Sequence, residues 1–399
     1  MADIVSLASR APAVARDEVE ARRTASAAVP WHIWCSVASV TSVMIGGYWD
    51  ISWHMSIGRD TFWTPAHMAI YLCGVLAGAS CGYLILATTF GSDGTLREGS
   101  VKVWGFRAPL GAFICAWGGI TMLASAPFDN WWHNAYGLDV KIFSPPHLVL
   151  DTGILAVQFG GLVLIAGAMN RAGPELRRKL VRLFLYMSAM ILTLGLTVVW
   201  EYHYRVFMHS ASCYRAVAFI APVLLVGGAR ASGYRRATTM LAGIYTVYMM
   251  LMLWIFPLFP AAPKLGPVYH PVTHFVPMEF PLLIIVPALA LELLWPRLAA
   301  WNKWWQAAAA GAVFLLIFVA VQWPFGTFLL SPHSRNWLFG TDYLPYFDSP
   351  NSYSARHLFV PFERTRFEFW LRMAEALLIA ILSTRVGLAW GDWMRRVRR

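Results

Sequence analysis

Residues 49–72 read WDISWHMSIGRDTFWTPAHMAIYL, and residues 128–151 repeat their pattern as FDNWWHNAYGLDVKIFSPPHLVLD. Each copy holds an aspartate (Asp50, Asp129), a Trp-His pair ending four residues on (His54, His133), a Gly-x-Asp (Asp60, Asp139), and Thr-Pro or Ser-Pro before a last histidine (His67, His147). Long apolar runs flank both copies, so each sits where one predicted helix ends and the next begins. Spacing of i,i+4 sets carboxylate and imidazole on one helix face. Thr64 and Ser144 stand where an N-cap is expected, with Pro65 and Pro145 at the first helical position, where no intrahelical N–H bond is lost. His67 and His147 then fall in the first turn, where the positive end of the helix dipole favours a neutral, metal-ligating imidazole.

Composition fixes the setting. Of 399 residues, 58% are hydrophobic and only 13% charged, which excludes an ordinary soluble domain and predicts an all-α polytopic integral membrane protein. About ten spans of roughly 20 residues are expected, near 30–51, 66–90, 106–127, 146–169, 180–200, 213–230, 237–259, 274–296, 304–330 and 368–391. Arg10, Arg16, Arg22 and Arg23, alternate loops rich in arginine and lysine, and the terminal RRVRR predict cytoplasmic termini, an inner-membrane location and both Asp/His copies near the extracytoplasmic face. The net charge of +11 then belongs to surfaces facing anionic lipid, and no nucleic-acid partner is implied. The tail 1–29 lacks a long apolar stretch, so the first span is expected to act as an uncleaved anchor. Cys35, Cys73, Cys81, Cys115 and Cys213 form no CxxC pair and read as packing residues.

An ionised aspartate near hydrocarbon costs about 2.5–3.5 kcal/mol on insertion scales, and a bound cation offsets that cost. One carboxylate with two imidazoles suits copper, zinc or iron(II) better than magnesium or calcium. The bland alternative, polar residues in an aromatic belt, does not call for the same residue types twice. Asp60 and Asp139 read either as acceptors that orient the histidines or as caps and partners for Arg59 and Lys141. Asp151, one turn after His147, reads as an extra ligand or an orienting group. Trp53, Trp63, Trp131 and Trp132 suit interfacial anchoring, or the lining of an apolar pocket.

The first copy, DxxxH followed by twelve residues and His with RDT and TPxH between them, resembles the C subunit of the copper-containing membrane monooxygenases, the particulate methane and ammonia monooxygenase family. The second copy matches that family's neighbouring Asn, His, His site in spacing, with Asp129 in place of Asn. The resemblance covers roughly residues 30–230 and leaves 231–399, about four further spans, unmatched. It implies copper, one or two ions, at Asp50, His54 and His67 and at Asp129, His133 and His147, with the first set catalytic. It also implies oxidation of a small hydrocarbon or ammonia-class substrate by dioxygen and two electrons, partner subunits, and a homotrimer or other oligomer. Zinc or iron stays open, as do zinc-dependent hydrolysis and a metal-handling role without oxygenase chemistry.

Weaker signals lie further on. Glu201, His203 and His209 look like a decayed third copy; His270 and His274, with Glu279, have helical spacing at the start of a predicted span; His32 is most simply interfacial. The segment 331–366 is expected to be an extracytoplasmic ordered cap, covering the metal face or contacting another subunit.

Overall fold

The computed structural model describes residues 28–399 except 93, 138–143, 204–206, 265–271 and 341–362, and except the side chains of Thr95 and Glu201. Asp139, Lys141, His270 and most of the expected cap therefore lie outside the described residues. The elements run α1 (Trp31–Ser56), α2 (Pro65–Phe90), the short α3 (Gly94–Glu98), a hairpin of β1 (Val101–Val103) and β2 (Phe106–Ala108), then α4 (Leu110–Tyr136) and α5 (Pro145–Arg171). After them come α6 (Pro174–Val198), α7 (Trp200–His203), α8 (Ala211–Ser232), α9 (Ala237–Ile255), α10 (Ile285–Leu298), α11 (Lys303–Leu329) and α12 (Arg366–Met394). Among the described residues, eight helices are long and apolar enough to cross a membrane: α2, α4, α5, α6, α8, α9 with its 3-10 extension to Leu258, α11 and α12. The chain is an all-α polytopic membrane protein. Helix α1 matches their length at 26 residues but is less apolar.

Small residues bring the first helices together. A Cβ on Gly160 of α5 would lie 2.6 Å from the Cys115 nitrogen of α4, and one on Gly118 would lie 2.7 Å from the Val157 nitrogen. Gly119 makes the same close approach to Gly78 of α2, and Gly46 of α1 to Ile70 of α2. Where lipid is as apolar as leucine, such backbone proximity is what dispersion and packing require. Buried Cys73, Cys81 and Cys115 fill this interface, and all five cysteines are free thiols. The order α1, α2, α4, α5 thus carries each helix end bearing an Asp/His copy to the same end of the bundle.

Two expectations change here. The span expected over 274–296 is helical only over Ile285–Leu298. Pro277 and Pro281, four residues apart, each remove an N–H that a continuous helix would need. The preceding residues are held instead by side chains: Val276 N–H donates to Ser56 Oγ (2.7 Å), Ser52 Oγ donates to the Val276 carbonyl (2.6 Å), and Leu283 N–H donates to Gln322 Oε1 (2.9 Å). Non-helical backbone is tolerated at such depth when protein groups satisfy it. His274 pairs in an isolated bridge with Pro260 rather than standing on a helix. The second change is the hairpin, in register Val101↔Ala108, inside the stretch expected to begin a span at 106; that helix starts at Leu110.

The C-terminal helix α12 returns to pack along α8, where Ser383 Oγ accepts from Val223 N–H (3.1 Å) and donates to the Phe219 carbonyl (2.8 Å) beside Pro222. Asn170 at the end of α5 donates to the Met394 and Val397 carbonyls, at 2.8 and 2.7 Å. These bonds fix the last residues to the bundle that carries the repeated motif.

Candidate metal centre

Helix α1 delivers Asp50 and His54 from its last two turns, and α2 delivers His67 from its first. Between them the chain must reverse sharply. Ile57 and Gly58 N–H both donate to the Trp53 carbonyl, at 2.7 and 3.1 Å, and Gly58 takes φ 81°, a left-handed conformation that costs glycine nothing. Trp53 Nε1 donates to the Arg59 carbonyl (2.9 Å) and Thr61 N–H donates to Thr64 Oγ1 (2.8 Å). Thr64 precedes α2 as expected, but its hydroxyl holds the loop rather than capping the helix. The second copy turns in the same way at Gly137, with φ 88° and N–H donating to the His133 carbonyl at 3.0 Å. The Gly of the shared Gly-x-Asp is therefore the residue that ends the helix.

This reversal folds Asp60 back onto the histidines. Asp60 Oδ2 lies 3.2 Å from His67 Nε2 and 3.5 Å from His54 Nε2; Asp50 Oδ1 lies 3.1 Å from His67 Nε2, and Asp50 Oδ2 lies 3.8 Å from His54 Nε2. Donor atoms of Asp50, Asp60 and His67 all fall within 4.8 Å of one another, as do those of Asp129, His133 and His147. In the second group His133 Nε2 is 3.4 Å and His147 Nε2 3.5 Å from the two oxygens of Asp129. The structure thus gathers Asp129, His133 and His147 as one group, while in the first copy Asp50 and His67 converge with Asp60 and His54 stands further out, 3.8 Å from Asp50. As for the two roles expected of Asp60, its ionic contacts among the described residues are with His54 and His67 rather than with Arg59.

The ring nitrogens facing away decide the tautomers. His67 Nδ1 sits 2.9 Å from the Thr61 carbonyl and His133 Nδ1 sits 3.3 Å from the Gly137 carbonyl. A carbonyl only accepts, so each Nδ1 carries the proton, and the Nε2 of a neutral ring presents a lone pair to the carboxylates. Buried Asp50 Oδ1 and Asp129 Oδ1 accept no hydrogen bond. Lone pairs of His67 and His133 facing carboxylates at 3.1 and 3.4 Å need a shared proton or a cation. Two donors bound to one ion at about 2.0–2.2 Å can stand no more than about 4.4 Å apart, and all six separations meet that limit.

Burial acts to raise the Asp60 carboxyl, but where His54 and His67 carry a proton at Nε2 their hydrogen bonds and charge outweigh it and hold the group well below the usual carboxylate range. Its side chain is 9% exposed, against 23% for Asp50 and 35% for His54.

Comparisons with protein-family models, with curated proteins and with solved structures found no match.

The remaining expected residues fall outside these two groups. Asp151 lies one turn along α5 within electrostatic reach of His147, but is not among the converging donors. Exposed Trp63 and Trp131 suit anchoring at a membrane surface, while Trp53 holds the Arg59 loop. His203 Nε2 is taken by the Leu196 carbonyl (2.6 Å) and His209 Nε2 by Thr327 Oγ1 (2.9 Å), so both histidines of the apparent third copy are hydrogen-bonded into the fold. His274 Nδ1 contacts Thr273 Oγ1 (2.9 Å) and His274 bridges to Pro260 rather than standing on a helix, while His270 lies outside the described residues.

Two features carried no weight in the sequence. The Thr61 and Gly137 carbonyls that orient the imidazoles are backbone groups, invisible to residue type. Tyr71 stacks near His67, with ring centroids 6.0 Å apart, and feels the charges of Asp50, Asp60 and Asp129. Its place four residues after His67 was the available signal, and it shows that the two arrays are neighbours.

Proposed function

We propose that this chain is a copper-binding membrane protein that acts as a monooxygenase-like oxidoreductase subunit, oxidising a small hydrocarbon or ammonia-class substrate with dioxygen. The observation that carries the reading is that both copies of the repeat gather carboxylates and imidazoles, Asp129 with His133 and His147 in one and Asp50 and Asp60 with His67 and, further out, His54 in the other, with Asp50 Oδ1 and Asp129 Oδ1 accepting no hydrogen bond. Asp50, His54 and His67 would hold one ion; Asp129, His133 and His147 would hold a second. Copper, when bound, supplies one-electron redox chemistry toward dioxygen. The protein contributes fixed geometry: the Thr61 and Gly137 carbonyls keep Nε2 aimed inward, and the Gly58 and Gly137 turns lock the helix ends. Both arrays then lie toward the extracytoplasmic face of an inner membrane, with cytoplasmic termini, as the arginine-rich loops imply. Homotrimers and partner subunits follow from the resemblance to the copper membrane monooxygenase C subunit.

The test is dioxygen uptake by the purified, copper-loaded chain in bilayers, with reductant, with and without co-expressed subunits, in the presence of ammonia or short alkanes. Substrate-dependent uptake abolished in His67→Ala supports the reading. Copper held in both arrays without substrate-dependent uptake under any condition makes the chain a metal-handling membrane protein instead.

A further inference from the structure

The family resemblance implies three ligands at the first array; the structure brings one more carboxylate, that of Asp60, into the same group. Asp60 is not a loop residue that happens to lie near. It is fixed by the Gly58 turn, by the Trp53 Nε1 bond to the Arg59 carbonyl and by the Thr61 N–H bond to Thr64 Oγ1. Its Oδ2 sits 3.2 and 3.5 Å from two imidazole nitrogens that lie on different helices. Among the described residues its ionic contacts are those two histidines. In the tightest group of converging donors at this array, Asp60 stands with Asp50 and His67, and His54 is the outer member.

We propose that Asp60 is a direct ligand, making the first array a two-carboxylate, two-imidazole site that is selective for a divalent ion over a monovalent one. The inference rests on reading the array as a metal centre. Two carboxylates and two neutral imidazoles bring a charge of −2, which a divalent ion cancels and a monovalent ion leaves half uncompensated. In a site set between helix ends and largely out of water, that uncompensated charge is costly. Hard carboxylate oxygens add to the same preference, since monovalent copper favours thiolate and thioether donors. For copper the consequence is a stabilised Cu(II) state and a lowered Cu(II)/Cu(I) potential at this array.

The experiment uses the full-length protein in nanodiscs, with the second array removed by His133→Ala and His147→Ala so that one site is read. Cu(II) and Cu(I) affinities are measured by competition with chelators of known strength, for Asp60 and for Asp60→Asn and Asp60→Ser, two ways of removing the charge. The expected result is a loss of Cu(II) affinity roughly tenfold greater than the loss of Cu(I) affinity, equal to a rise of about 59 mV in potential, with a changed Cu(II) EPR spectrum. Equal losses in both oxidation states would make Asp60 a residue that only orients the histidines, and would overturn the proposal. So would unchanged Cu(II) affinity and spectrum in both variants while Asp50→Asn loses the ion. A parent protein that binds no copper in either state defeats the metal reading itself, an outcome distinct from the other two.

Discussion

Residues 49–67 and residues 200–210 use the same alphabet of acidic, aromatic and histidine side chains at helix ends, yet they reach opposite outcomes. In the first region the Thr61 carbonyl binds the outward Nδ1 of His67, and the Nε2 atoms of His54 and His67 point at carboxylates. In the second, Nε2 of His203 is spent on the Leu196 carbonyl and Nε2 of His209 on Thr327. What separates a candidate ligand from a structural histidine is therefore which nitrogen the backbone claims. Residue content alone does not make that distinction, and spacing does so only where it is repeated.

The largest effect tests the framework that lets the arrays form. Gly160→Leu forces a side chain into backbone 2.6 Å away and is expected to cost about 3 kcal/mol, read as a lowered Tm in detergent; a loss under about 1 kcal/mol would show that α4 and α5 do not approach so closely. Next in size, His67→Ala should weaken copper binding about 100-fold, near 2.8 kcal/mol at about 1.4 kcal/mol per tenfold. His209→Ala should leave binding unchanged. Equal effects at the two positions would erase the contrast between the regions.

A smaller effect sharpens it. His203→Ala strands a buried carbonyl and should lower stability by about 1–2 kcal/mol while copper content holds constant. Smallest, Ser56→Ala removes the acceptor for Val276 N–H and should cost about 1 kcal/mol, seen as faster hydrogen exchange near residue 276.

The pH dependence follows from Asp60. Its carboxyl is held below the usual range, so the folded-state bonds contribute stability above the unfolded value of about 3.9 and lose it only as pH falls through the lower folded value. Asp60 thus stays charged near neutrality. Copper loading should fall as pH drops, because protons compete for the ligand nitrogens.

Much of this fold was legible in hydropathy and proline placement: α2 and α5 begin at Pro65 and Pro145, as Thr-Pro and Ser-Pro imply. The stretch 274–284 was misread because an apolar window does not register that Pro277 and Pro281 break the ladder of N–H donors. The two candidate sets of aspartate and histidine were legible because they occur twice. Asp60 was visible, but its closeness to both histidines was not, since its path back to them depends on the positive φ of Gly58 and on a bond to a backbone carbonyl, neither of which residue type declares.

The central claim, that each copy of the repeat is a metal site, is tested most directly by copper stoichiometry in the purified protein by elemental analysis. The account predicts two ions per chain in the parent, one after His54→Ala with His67→Ala, one after His133→Ala with His147→Ala, and none when all four are combined. Equal copper content in the parent and in every variant would contradict it.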